Sequence, residues 1–279
     1  MYQDLIALFR TTFQCEPAFL FSAPGRTELG GNHTDHQLGR VLAAAVNVDT
    51  VAAVAPRADD AVRVLSKGYP LCCVSLNDLD KRPEEEGSTQ ALIRGVLAGM
   101  AAGGRQLQGF DAYVTSRVLP GSGLSSSAAF EVLIGTIENH LCAAGLTPLA
   151  IAQLGQFAEN QYFGKPCGLM DQAASAIGGV ITIDFAAAPR VEHLDLDLAA
   201  YGYRLCIVNC GADHADLTGE YAAIPQEMRA VSAVFGQEHL RFVPEDAFYA
   251  RLADVRKAAG DRAALRAIHI FEDNRRVEQ

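Results

Sequence analysis

Leu119-Pro-Gly-Ser-Gly-Leu-Ser-Ser-Ser-Ala-Ala-Phe-Glu131 is the stretch on which the reading of this chain turns. Ahead of it, Phe110-Asp-Ala-Tyr-Val-Thr-Ser-Arg-Val118 is extended and β-rich, and after it Ala128 to Leu141 shows the apolar spacing of a helix. A strand, a glycine-serine loop and a helix follow one another. Gly121 and Gly123 let backbone amides approach a ligand closely, and the helix that starts within the three serines points its unpaired N–H groups and positive dipole end at the same place. Gly121, Ser122, Gly123, Leu124, Ser125, Ser126, Ser127 and Ala128 thus read as an anion cradle, for phosphates before other anions. A capped turn, with Ser125 as the N-cap, is the competing reading. Two familiar phosphate loops are excluded: no Lys-Ser/Thr follows a second glycine, and Ser126 stands where a dinucleotide fingerprint has its third glycine.

Composition bounds what such a cradle can serve. The 279 residues suffice for one large core or two modest ones, and 49% hydrophobic with 20% charged residues is an ordinary globular composition. A formal charge of −10 without clustered Lys and Arg argues against a nucleic-acid or anionic-membrane partner. A phosphate ligand must then be held locally, by backbone amides, a few basic residues and a metal. The amphipathic opening Met1 to Arg10 carries Asp4 and lacks a basic leader or cleavage site, and no stretch is long enough to span a membrane. Seven cysteines (15, 72, 73, 142, 167, 206 and 210) lack paired zinc spacing, so we expect free thiols in a reducing cytoplasm.

Two further stretches are informative. Ala23-Pro-Gly-Arg-Thr-Glu-Leu-Gly-Gly-Asn-His-Thr-Asp-His-Gln-Leu-Gly-Arg-Val-Leu42 concentrates Arg26, Glu28, Asn32, His33, Asp35 and His36 in a glycine-shaped loop between apolar flanks. Polar groups this dense need a ligand or each other, although solvation in a loop and a metal at His33, Asp35 and His36 are both open readings. Gly164-Lys-Pro-Cys-Gly-Leu-Met-Asp-Gln172 places Asp171 in apolar company, where an ionised carboxylate is costly unless paired; a helix N-cap is its alternative role.

Around these, residues 2–13 read as a helix, 18–22 and 41–55 as strands, and 61–65 and 71–75 as further strands of a β-meander. The acidic run Asp78 to Glu86 reads as a solvated loop. Ser88 caps a helix that Gly103-Gly104 ends, and Pro148 to Tyr162 is a helix carrying Glu159 near its end. Residues 180–185 read as a strand and 186–200 as the crossing into a second domain. Arg204 to Cys210 then reads as a buried strand, Thr218 to Phe235 as a helix interrupted at Pro225, and 246–279 as one or two helices. We place the domains at 1–187 and 188–279.

Taken together the three stretches resemble the galactokinase branch of the GHMP small-molecule kinases. Ala23-Pro-Gly-Arg26 with Gly31-Asn-His-Thr-Asp-His36, Gly123 to Ala128, Pro166-Cys-Gly-Leu-Met-Asp-Gln172 and Gly219-Glu-Tyr221 match that family's segments in order over essentially the whole chain. The resemblance implies an α+β fold: a ribosomal protein S5 domain 2-like N-terminal domain that binds ATP and sugar, and a ferredoxin-like C-terminal domain, with the site between them. It implies Asp171 as the base that deprotonates a sugar hydroxyl, and Arg26 as the cation that keeps it ionised and meets the transferring phosphoryl. It implies Ser127, with Ser126 close by, and Glu159 as ligands of Mg2+, and His33, Asp35, Gly168 and Tyr221 as sugar contacts. The expected partners are ATP and galactose or a related sugar.

Departures qualify the substrate. Asn32 stands where the family has a sugar-binding glutamate, Glu28 where it has asparagine, His36 where it has tyrosine, and Asp213, before His214, where the position is often basic. The family's C-terminal glycine-rich segment has no match before Gln279. An incomplete C-terminal domain would expose sheet edges, which points to a fragment or to association with another chain. The alternatives are a catalytically silent sugar and nucleotide sensor, a 1-kinase for a related sugar such as N-acetylgalactosamine, and a dinucleotide-binding domain, against which the missing third glycine counts.

Overall fold

The computed structural model describes residues 2–119, 121–208 and 218–279, and only the backbone of residues 218, 221 and 222. Contacts divide the chain into two units, Met1–Arg26 with Ala45–Gly178, and Thr27–Ala44 with Gly179–Gln279. The first unit takes its elements in the order α1 (Tyr2–Phe13), β1 (Phe19–Gly30), β2 (Arg40–Pro56), β3 (Ala61–Ser66), β4 (Cys72–Ser75), α2 (Thr89–Ala102), β5 (Phe110–Ser116), α3 (Ser126–Leu141), α4 (Pro148–Phe157) and α5 (Met170–Ile177). The unit boundaries fall inside β1 and β2, which pair with each other.

Thr50 to Ala55 of β2 is buried at every position, so this half of the strand has no solvent face. Val51, Ala53 and Ala55 pack with Leu5 and Phe9 of α1, while Ala52 and Val54 join the main core with Ile93, Val96 and Leu97 of α2 and Leu133, Ile134 and Ile137 of α3. A strand covered on both faces reads as a nearly continuous apolar run, which is why its alternation is loose. β2 pairs antiparallel with β5, from Thr50 opposite Ser116 to Pro56 opposite Phe110. β3 pairs antiparallel with β4 but parallel with β5, Val62 opposite Phe110. The expected meander is therefore wrong: β3 and β4 are a hairpin, and α2 makes the crossover that a parallel partner requires.

Local signals hold where the chemistry is local. Ser88 Oγ accepts from Ala91 N at 3.2 Å to cap α2, and Thr147 caps α4 with Pro148 in its first turn. The acidic run is not simply solvated, because Glu85 is buried against Arg94, with Arg94 Nε donating to Oε2 at 2.7 Å. The six cysteines at 15, 72, 73, 142, 167 and 206 are free, and Cys210 lies outside the described residues.

The second unit adds β6 (Val180–Asp184), β7 (Arg190–Leu194), α6 (Thr218–Ala233), α7 (Glu245–Ala250), α8 (Leu252–Ala259) and α9 (Asp261–Glu278). The other half of β2 pairs here with β6, Arg40 opposite Asp184, and β6 pairs with β7, a strand inside the expected crossing. The helices close a separate core of Met228, Val231, Leu240, Phe248, Val255, Ala267 and Ile270. α6 runs through Pro225 without interruption. Residues 204–208 are exposed and not in a strand, contrary to the expected buried one, whose remainder lies outside the described residues. Among the described residues no helix is long and apolar enough to cross a membrane.

Candidate active site

The glycine-serine loop falls between β5 and α3, in the first unit. Gly121 and Gly123 have φ of 71° and 74°, the left-handed region that favours glycine, and Ser122 Oγ donates back to Leu119 O at 2.6 Å. Ser125 precedes the first turn of α3 but caps nothing: its φ and ψ are 59° and 66°, and no capping bond reaches from its side chain into the helix. Its hydroxyl donates instead to Asp171 Oδ2 at 2.6 Å, so the N-cap reading of Ser125 is replaced by a bond to a carboxylate distant in sequence. The first N–H groups of α3 have no acceptor within the helix, which leaves that end electropositive.

Arg26, at the end of the Ala-Pro-Gly-Arg segment, completes the group. Its Nε donates to Asp171 Oδ1 at 2.7 Å and its Nη1 to Gly123 O at 2.7 Å. The same segment is laid on the loop by its backbone, with Arg26 N donating to Leu124 O at 3.0 Å. A Cβ on Gly25 would lie 3.0 Å from Leu124 O and from a Val118 methyl, so glycine is what permits this approach. Asp171 is the second residue of α5, not its N-cap, and its side chain keeps 24% exposure beside an Arg26 that keeps 8%. One oxygen thus faces a fixed guanidinium and the other a fixed hydroxyl.

Glu159 lies in a π-helical turn, Ala158–Phe163, that continues α4. Ser127 Oγ donates to Glu159 Oε1 at 3.2 Å, and Lys165 Nζ pairs with the same oxygen at 3.2 Å. Burial works against the charge on Lys165, but Glu159 outweighs it and the ammonium pKa is raised. Behind them Gln172 Nε2 donates both to Glu159 Oε2 at 2.8 Å and to Glu131 Oε2 at 2.9 Å. Glu131 is fully buried; that burial, and next the charge of Glu159, push its carboxyl well above the usual range. Burial likewise raises the Cys167 thiol. Glu131 and Gln172 were not singled out from the sequence, where the only signal was a charged residue amid the apolar positions of α3.

As a magnesium site these donors fit. Ser127 Oγ and Glu159 Oε1 are hard oxygens already within hydrogen-bond distance, and magnesium needs only one or two protein oxygens when phosphate and water supply the rest. Among the described residues no group of three or more His, Cys, Asp or Glu side chains could cage a metal alone.

The remaining expected residues divide. Gly168 is half-buried in the loop before α5. Tyr221 lies on α6, and its side chain is outside the described residues, as are Asp213 and His214. Asn32, His33 and Asp35 belong to the second unit, between the end of β1 and the start of β2. This stretch is less a loop than expected, since β1 runs to Gly30 and Asp35–Gln37 is a 3-10 turn. Glu28 Oε1 accepts from His33 N at 2.7 Å, and buried Asp35 accepts from His36 N at 3.0 Å. Burial lowers the His36 pKa.

A glycine-serine loop facing an arginine-aspartate pair, with a serine-glutamate pair beside it, is the arrangement of a small-molecule phosphotransferase. Residues 91–179 match the GHMP kinases N terminal domain, and residues 7–56 match the galactokinase galactose-binding signature. The chain is 36% identical over 276 residues to the galactokinase of Streptomyces coelicolor, covering 97% of this chain and 70% of that one. It is 36% identical over 262 residues to the galactokinase of Actinobacillus pleuropneumoniae, covering 91% and 66%. In fold it is similar to the Lactococcus lactis galactokinase complexed with galactose, with a TM-score of 0.82 at 23% identity over 99% of this chain and 72% of that one. The Methanococcus jannaschii mevalonate kinase gives a TM-score of 0.56 at 15% identity over 92% and 79%. The chain belongs to the galactokinase family of GHMP kinases.

Proposed function

We propose that this chain is an ATP-dependent galactokinase that phosphorylates the anomeric hydroxyl of galactose, giving galactose 1-phosphate and ADP. The observation that carries the reading is Asp171, whose two oxygens are fixed by Arg26 Nε at 2.7 Å and Ser125 Oγ at 2.6 Å beside the glycine-serine loop. In the reaction the anomeric oxygen attacks the γ-phosphorus, the bond from that phosphorus to the β–γ bridging oxygen breaks, and the hydroxyl proton passes to Asp171. Phosphoryl transfer needs positioning and charge neutralisation above all, and both are within reach of these residues. Residues 121–128 hold the phosphates with backbone amides, and Arg26 offsets their charge while orienting the base.

Ser127 and Glu159 would hold Mg2+, which when bound neutralises phosphate charge. Asn32, His33, Asp35, Gly168 and Tyr221 contact the sugar, with residues 1–187 serving ATP and sugar and 188–279 forming the C-terminal domain. The setting is the cytoplasm, with no nucleic-acid or membrane partner. A silent sensor or an N-acetylgalactosamine kinase is not needed for a chain whose relatives are galactokinases.

A coupled ADP-release assay with galactose, N-acetylgalactosamine, arabinose and galacturonate tests this. Galactose is expected to give the highest kcat/KM. Asp171→Asn should lower kcat by about a thousandfold or more while ATP affinity stays within about threefold. Substantial turnover by that variant would remove Asp171 from the role of base, and no release with any sugar would overturn the kinase reading.

A further inference from the structure

The segment from Gly31 to Arg40 does not hold its own shape cheaply. Gly31, His33 and Leu38 all have positive φ, at 77°, 50° and 57°. A Cβ on Gly31 would lie 2.1 Å from Arg40 O, and the two non-glycine residues each carry backbone strain. Strained backbone persists only where its surroundings over-determine it. The segment's own bonds, Thr34 N to Gly31 O and Gly39 N to Thr34 O, tie it to itself and not to a frame.

The frame is α9. Asp273 Oδ2 accepts from Asn32 N at 2.9 Å, and His269 Nε2, one turn earlier on the same helix face, meets Asn32 O at 3.0 Å. Both backbone groups of Asn32 are therefore held from outside. Asn274 Oδ1 accepts from Arg40 N at 2.7 Å, which fixes the other end of the segment. Asp273 is itself buried and paired with Arg276. α9 lies beyond both matched family segments, so no signature accounts for these residues.

We propose that α9 is the positioning element of the sugar-reading segment: Asp273 and His269 clamp the backbone of Asn32, and Asn274 that of Arg40, and this clamp sets affinity and selectivity for the sugar hydroxyls. The proposal rests on the galactokinase reading. Asn32 carries no charge where the resemblance has a glutamate, so its contribution depends on where its backbone is held, and the holding groups are the carboxylate of Asp273 and the imidazole of His269. These are positioning residues, acting through the backbone they bind.

The test is steady-state kinetics with galactose and its monodeoxy analogues, together with amide hydrogen exchange. Asp273→Ala should raise the KM for galactose about tenfold and leave the KM for ATP within about twofold. Its discrimination against at least one deoxygalactose should fall by a similar factor, and Asp273→Asn, which keeps an acceptor, should restore most of it. Equal rises in both KM values, or a galactose KM within twofold of wild type in a folded Asp273→Ala, would overturn the clamp. If Asp273→Ala does not fold, Asn274→Ala and His269→Ala carry the same comparison. Exchange separates the two readings: a wild type that turns over no sugar ends the galactokinase reading, while Asn32 and Arg40 amides that stay equally protected in Asp273→Ala and Asn274→Ala end the clamp.

Discussion

Ser125 occupies left-handed backbone at φ 59° that serine adopts only at a cost, and its hydroxyl bonds Asp171 at 2.6 Å. The two features can be separated. Ser125→Ala and Ser125→Gly both remove the hydroxyl, but only glycine relieves the backbone. In urea unfolding the Gly variant should be more stable than the Ala variant by about 1 kcal/mol, while both lose kcat by a similar factor, roughly tenfold to a hundredfold. Equal stability of the two would remove the backbone account. Arg26, Asp171 and Ser127 stood out in the sequence because each sits in a segment with a recognisable order of residues, whereas Glu159 was named only through the family resemblance. The Ser125 bond was not, because a serine before a helix has a cheaper local explanation as a cap, and its partner lies at the start of another helix. Glu131 left only its charge amid the apolar positions of α3 as a signal, since its partner Gln172 is supplied by the fold.

At the scale of elements, the turn that carries Glu159 is held by α2. Gly95 faces Ala158, and a Cβ there would lie 2.7 Å from the Ala158 Cα. Gly95→Ala should therefore destabilise the protein by about 1–3 kcal/mol through overpacking. Because Ala158 precedes Glu159, the same variant should also need more Mg2+ for half-maximal turnover; thermal melts and a magnesium titration check both, and an unchanged melt would contradict the packing. The sequence could show a helix from Pro148 to Tyr162 but not its final wide turn, because one inserted residue per turn barely alters the apolar spacing. The strand β7 was hidden for a different reason: its residues are largely exposed, so no alternation marks it.

Over the whole molecule, stability should depend on pH through a group that is not one of the candidate site residues. Glu138 is fully buried, its Oε1 accepts from Gln108 N at 2.6 Å, and burial raises its carboxyl to about 7. A carboxyl raised in the folded state favours the proton there, so its contribution is complete below pH about 4.5 and is lost as pH rises to about 7, with a span on the order of 3 kcal/mol. Glu138→Gln keeps an acceptor and cannot ionise, so it should be more stable than wild type at pH 8 and no better at pH 4; a difference independent of pH would show that Glu138 does not titrate in this range. The strands of the first unit were legible and their order was not, since β3 chooses β5 over β2 by way of α2, a choice of partner that no local residue states. β2 bears on assembly too: residues 50–56 pair with 110–116, whereas residues 40–44 pair with 180–184. During synthesis, residues 50–56 of β2 can find their partner long before residues 40–44 do. A nascent chain released only to residue 178 would contain every residue of the Arg26–Asp171 and Ser127–Glu159 pairs, yet the segment bearing Asn32, His33 and Asp35, though made early, would still await β6 and α9. The segment proposed to read the sugar would thus be set last.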